Sequence, residues 1–144
     1  MKRLPLFCIA LTLKIVTGSV VFAQSTASAS ASASAGITGD AEAGAKVFRK
    51  CKACHEVGEA ATSKAGPVLN NILGRAAGAV EGFKYSSALM EKASAEALVW
   101  DVETLEAFLT KPKTFIKGTK MSFAGLRKDK DRANVIAYLA GFTE

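Results

Sequence analysis

The sequence predicts an all-α fold made of short helices and long loops. Two observations carry that expectation. No stretch alternates apolar and polar residues convincingly over six positions, as a half-buried strand would. Four segments instead repeat apolar residues at helical spacing. Each is opened by an aspartate or serine, and stretches bearing glycine or proline separate them.

Taken in order, Asp40 can cap a first helix, with Glu42 in its first turn and Ala43, Val47 and Phe48 on one face, running to about Lys50. Gly58, Ser63, Gly66 and Pro67 make residues 56 to 74 mostly loop, and Gly74, Gly78 and Gly82 keep the chain irregular to about Phe83. Ser86 to Ala93 reads as a short helix in which Met90, beside Leu89, is a core gap-filler. Asp101 caps a stronger helix from Val102 to Lys111, with Leu105, Phe108 and Leu109 on one face and Pro112 as its stop. Pro112, Gly118 and Gly125 mark 112 to 128 as loop. Asp129 or Asp131 then starts a final helix with Val135, Ile136 and Leu139 facing inward.

The 144 residues suit one folded domain with length to spare. Residues 1–23 read as a signal peptide. Lys2 and Arg3 precede two apolar runs split by Lys14, neither reaching the roughly 20 apolar residues of a spanning helix, and Val21-Phe22-Ala23 suggests cleavage before Gln24. A retained anchor facing the periplasm is the alternative. Residues 24–38 form a linker whose Ala-Ser repeat buries too little apolar area to offset its ordering entropy. The folded domain is 39–144. Without Lys2, Arg3 and Lys14, sixteen basic residues face thirteen acidic ones. That modest excess suits an acidic partner met by a local patch, and no basic run interleaved with aromatics suggests nucleic acid.

The chemistry concentrates in Cys51-Lys52-Ala53-Cys54-His55, a C-x-x-C-H attachment signal for a c-type haem. Two thiols can form thioethers with the haem vinyl groups, and the adjacent histidine, the only one in the chain, can ligate the iron. A thioredoxin-like redox pair would open a helix after a strand, whereas this pair follows a helical pattern. A structural zinc site wants four ligands, and with Cys8 in the targeting segment only three remain. Short helices also make a small core, and a buried macrocycle of haem size would supply the missing apolar area.

Further landmarks follow: Gly66-Pro67-Val68-Leu69, Leu73-Gly74-Arg75, Phe83-Lys84-Tyr85-Ser86, Trp100, then Lys111 to Gly125 with Gly118-Thr119-Lys120-Met121, and finally Asn134-Val135-Ile136-Ala137-Tyr138-Leu139. In this order, over about residues 39 to 144, the chain resembles class I cytochromes c, the mitochondrial protein and its small bacterial relatives. The resemblance implies a cytochrome c-like fold wrapped around one covalent haem c, with His55 as proximal and Met121 as distal iron ligand. It implies that the Pro67 carbonyl accepts from the other ring nitrogen of His55. It implies too that Arg75, Tyr85, Ser86 and Trp100 hold the propionates, that Thr119 and the Phe108 face line the distal side, and that Gly44 lets the first and last helices cross, Phe48 meeting Val135 and Tyr138. Phe108 and Leu89 depart from a tyrosine and an asparagine often found in the family, which bears on the reduction potential and not on ligation.

Lys50, Lys52, Lys64, Lys113, Lys120, Arg127 and Lys128 flank the haem motif and the methionine segment. Gathered around an exposed haem edge they would steer an acidic partner. The resulting expectation is a monomeric periplasmic one-electron carrier and not an enzyme. Its partners would be acidic docking surfaces of membrane redox complexes: a quinol-oxidising complex, a terminal oxidase or a reaction centre. A membrane-tethered shuttle is the alternative. A haem peroxidase or gas-binding protein ranks lower, since no distal histidine is available to cleave peroxide.

Overall fold

The computed structural model describes residues 36–143. The signal peptide expected at 1–23 and nearly all of the linker lie outside the described residues. The first helix, α1 (Ala41–Phe48), is capped by Asp40, whose Oδ1 accepts from the amides of Glu42 at 2.8 Å and Ala43 at 3.1 Å. It ends before Lys50 because the chain tightens: the Lys50 amide turns back to Val47 O and that of Cys51 to Phe48 O. The cysteine motif therefore begins on a turn fastened to the end of α1.

At the other end of the chain α5 (Asp129–Ala140) crosses α1. A Cβ at Gly44 would overlap the Asn134 carbonyl and lie 2.7 Å from Tyr138 Cβ, so only glycine permits this approach. Phe48 and Val135 are both 1% exposed beside the crossing, and the Phe48 and Tyr138 rings stand 5.2 Å apart. Asn134 is buried, and its Oδ1 accepts from the Asp40 amide at 2.9 Å, joining the start of α1 to α5.

Between these helices lie α2 (Ser87–Glu96), α3 (Val102–Thr110) and α4 (Pro112–Phe115). Ser86 caps α2, accepting from the Leu89 amide at 3.2 Å. The helix runs three residues past Ala93 and closes on Ala97, which takes the left-handed conformation (φ +46°) that glycine normally supplies. Met90 is not a core filler: it is 46% exposed, because α2 lies on the surface with no fully buried residue and turns only Ala88, Leu89 and Ala93 inward. Asp101 and Thr104 form a reciprocal capping box at α3. The single turn of α4 interrupts a stretch expected to be loop, since Pro112 ends α3 but is well suited to the first turn of a new helix.

One strand pair was not foreseen. β1 (Arg75–Ala76) runs antiparallel to β2 (Val99–Trp100), pairing Arg75 with Trp100 and Ala76 with Val99. Two residues per strand leave no alternation to read. The ladder fastens the loop after the cysteine motif to the central core of Ile72, Leu98, Trp100, Leu105, Phe108 and Ile116.

Gly44→Ala forces the α1/α5 crossing apart and should cost about 1–3 kcal/mol in urea unfolding. Asp101→Ala should cost about 1 kcal/mol. The Thr104 amide holds the Asp101 carboxyl below its ordinary value of 3.8. Folding therefore favours the ionised form, and this contribution is present above that value and lost as pH falls through the lower folded one. Below about pH 4 the stability of Asp101→Ala should consequently fall less steeply than that of the parent.

Candidate functional site

Cys51, Cys54 and His55 share one tight turn: the amides of Cys54 and His55 both donate to Cys51 O at 3.0 Å. Cys51 is half-buried, Cys54 is exposed, and both thiols are free. Burial pushes the Cys51 thiol up, opposed by Lys50, so it stays protonated near neutral pH.

His55 is oriented from its far side. Its Nδ1 lies 2.7 Å from Pro67 O. A carbonyl only accepts, so Nδ1 carries the proton and Nε2 keeps the lone pair. Burial lowers the ring's pKa, opposed by Pro67 and assisted by Arg75, which favours the neutral imidazole that a metal needs. Gly66 makes room for the ring: a Cβ there would lie 2.6 Å from Nε2 and 2.7 Å from Nδ1. The Gly66 amide donates to Cys54 O at 2.9 Å, so the cysteine turn and the Gly-Pro segment form one unit.

Two braces hold that unit. Arg75 donates from Nη1 to Asn70 O at 2.7 Å and from Nη2 to Val68 O at 3.0 Å, spanning the segment just beyond Pro67. Burial lowers its pKa from a start so high that it remains charged. Asn70 closes the intervening loop: its Oδ1 accepts from the Gly58 amide and its Nδ2 donates to Gly58 O, both at 2.9 Å. The sequence reading missed Asn70, because a side chain that mimics a strand partner has no local pattern. Glu56 accepts from the Thr62 amide and pairs with Lys64, which holds its carboxyl below the usual range.

The remaining expected residues fall around the same core. Trp100 is buried with its ring 5.0 Å from Phe108. Ser86 is buried at the start of α2, and the Tyr85 hydroxyl accepts from the Val80 amide at 3.3 Å. Met121 is half-buried against the cluster that also receives Cys51, Leu69, Leu73 and Phe123, and its amide donates to Thr119 Oγ1 at 3.2 Å. All seven expected docking cations are exposed. Lys64 is engaged with Glu56, and Lys50 stands 3.8 Å from Asp131. The other five make no ion pair among the described residues.

An open cavity of about 450 Å³ adjoins His55, lined by Phe48, Lys52, Tyr138 and Phe142. Met121 and Trp100 do not line it, so it is not the space between the two expected ligands. Among the described residues no group of three or more His, Cys, Asp and Glu side chains is placed to hold a metal ion, so the zinc alternative lacks a donor set. The donors suit haem c instead: two free thiols one turn apart, an imidazole of fixed tautomer, and a thioether packed on the same apolar cluster.

Comparison with known proteins agrees with this chemistry. The family model described as Cytochrome c matches residues 41–142. Cytochrome c2 of Rhodoplanes tepidamans is 48% identical over 103 residues, 72% of this chain and 92% of that one. Cytochrome c-type cyt cy of Rhodobacter capsulatus is 50% identical over 104 residues, 72% of this chain but 49% of that longer relative. The solved structure of cytochrome c2 from Rhodospirillum centenum aligns with a TM-score of 0.69 at 35% identity, covering 74% of this chain and 100% of that one. The chain thus belongs to the cytochrome c family of electron carriers, with haem c as its covalent cofactor and Cys51 and Cys54 in the C-x-x-C-H attachment motif.

Proposed function

We propose that the protein is a periplasmic one-electron carrier that shuttles electrons between membrane redox complexes, and that His55 and Met121 would be the two protein ligands of its haem iron. The observation that carries this reading is the 2.7 Å contact of His55 Nδ1 with Pro67 O, which leaves Nε2 as the ring's one lone pair. Haem c supplies a metal that changes oxidation state by one electron. The chain's residues do the rest. Cys51 and Cys54 hold the group covalently, so it is not lost outside the cytoplasm. His55 presents a neutral imidazole, and Met121 a neutral thioether, which raises the potential relative to a harder ligand. Arg75, Tyr85, Ser86 and Trp100 are proposed to surround the propionates, and Thr119, through its bond to the Met121 amide, to shape the distal turn.

Two protein ligands leave no open position for a substrate, and the chain has no second histidine to act on peroxide, so an electron carrier is favoured over an enzyme. Export is assigned to residues 1–23, with cleavage before Gln24. Lys52, Lys113, Lys120, Arg127 and Lys128, exposed and in no ion pair among the described residues, are the main candidates to meet an acidic quinol-oxidising complex, terminal oxidase or reaction centre, with Lys50 and Lys64 partly committed within the chain. Such redox contacts are small and transient.

The spectrum of the purified protein tests ligation. The oxidised parent should show the weak red-edge band of thioether-ligated ferric haem. Met121→Ala should lose that band, bind carbon monoxide when reduced, and drop in potential by on the order of 0.1 V or more. A parent without the band would reject Met121 as ligand. Electron-transfer rates with an acidic redox partner should fall severalfold between about 0.01 and 0.15 M salt. Salt-independent rates would reject the basic docking surface.

A further inference from the structure

Arg132 is a buried cation in α5, 9% exposed, with no part in the proposed ligation or docking. Its Nη1 donates to Leu126 O at 2.8 Å and its Nη2 to Asp129 Oδ1 at 2.6 Å, while Nε is buried with no partner among the described residues. As a stabilising device this is poor. The Asp129 side chain is 91% exposed, so solvent screens the ion pair, and the orphaned Nε keeps its desolvation penalty. An apolar side chain of similar size would fill the place at less cost. What the guanidinium alone contributes is a charge-assisted bond to one carbonyl, that of Leu126.

Leu126 closes the segment that carries Met121. The segment leaves Ile116, which is 1% exposed and fastened to α4 by its amide bond to Pro112 O. It returns to the body at Leu126, which is 3% exposed and whose amide donates to Leu109 O at 2.7 Å. Between these points the hydrogen bonds stay local: the Thr119 amide reaches Ile116 O and the Met121 amide reaches Thr119 Oγ1. No hydrogen bond from 117–125 reaches the described chain beyond Ile116 and Leu126. Met121 and Phe123 rest on the apolar cluster, so apolar packing and the two hydrogen-bonded ends together set the position of Met121. At the second end α3 holds the Leu126 amide and Arg132 holds its carbonyl, so one peptide pair is gripped from two helices.

We infer that Arg132 is a positioning residue: by pinning the Leu126 carbonyl to α5, it holds the segment closed and keeps the Met121 thioether where it can ligate. This rests on the proposed His55/Met121 ligation. Segment opening removes the thioether and exposes a coordination position, so an external ligand reports the open fraction: apparent affinity rises in proportion to it.

The experiment uses the haem-loaded, oxidised protein and imidazole as probe, with urea unfolding measured alongside. Arg132→Met should bind imidazole about tenfold more tightly than the parent, the factor expected when one charge-assisted bond is lost from the closed state. Arg132→Lys, which keeps the charge and one donor, should recover part of that change. Asn134→Ala removes the α5 bond to the Asp40 amide, remote from the methionine segment, and serves as the control. It should lower the urea midpoint yet change imidazole affinity by no more than about twofold. Unchanged affinity in Arg132→Met overturns the inference. So do shifts in both variants that merely track their loss of urea midpoint, since that is what general loosening gives. If Arg132→Met does not accumulate with haem, Asp129→Asn carries the test: it removes only an exposed orienting carboxylate and should tighten imidazole binding about twofold to threefold, and no change there overturns the inference. Failure of the ligation reading looks different: the parent itself would then bind imidazole as tightly as Met121→Ala.

Discussion

The hydrogen bond from His55 Nδ1 to the Pro67 carbonyl is the constraint around which the site is built. It selects one tautomer and aims one lone pair. Several otherwise unrelated features serve it. Gly66 lacks a side chain so that the ring can lie against the backbone. Arg75 spans the carbonyls of Val68 and Asn70, which keeps the segment after Pro67 from relaxing. The β1/β2 ladder then ties Arg75 to Trp100 and so to the core. A carbonyl in a loop would be a soft anchor; here three neighbouring restraints stiffen it.

The crossing of α1 and α5 provides the platform. Gly44 admits Asn134 and Tyr138 against the backbone of α1, Asp40 is bonded from α5 through Asn134, and the cysteine turn starts at the end of α1. The side of His55, the proposed proximal ligand, therefore sits on a rigid helix pair. The side of Met121, the proposed distal ligand, differs. Met121 lies in a segment without helix or strand, which rests on the apolar cluster and is hydrogen-bonded to the body at buried anchors, Ile116 and Leu126. If Met121 ligates as proposed, its position is open to tuning through those anchors, whereas that of His55 is tied in.

Much of this was legible beforehand, and for identifiable reasons. Asp40, Ser86 and Asp101 act as caps because a short polar side chain before an apolar period serves that purpose in almost any context. The cysteine motif is legible because covalent attachment demands fixed spacing. The misreadings also have causes. Met90 resembles a core residue locally, but whether a helix face is covered depends on what packs over it, and α2 lies outermost. The β1/β2 ladder is too short to leave a period, and α4 arises because Pro112 both ends one helix and begins the next.

The amino-acid sequence by itself determined the starts of four of the five helices, the mostly helical class, the haem-attachment chemistry and the family, since these depend on residue type at short, regular separations. Only the tertiary structure decided that Asn70 would close the loop at Gly58, that Arg75 would brace the Pro67 segment, and that Arg132 would be buried with its guanidinium on the Leu126 carbonyl. In each of these a side chain bonds a loop backbone group between 5 and 12 residues away, at no regular helical or strand separation. Any polar residue can make such a bond, so the choice is set by where the chain happens to pass, and that is a property of the packed whole.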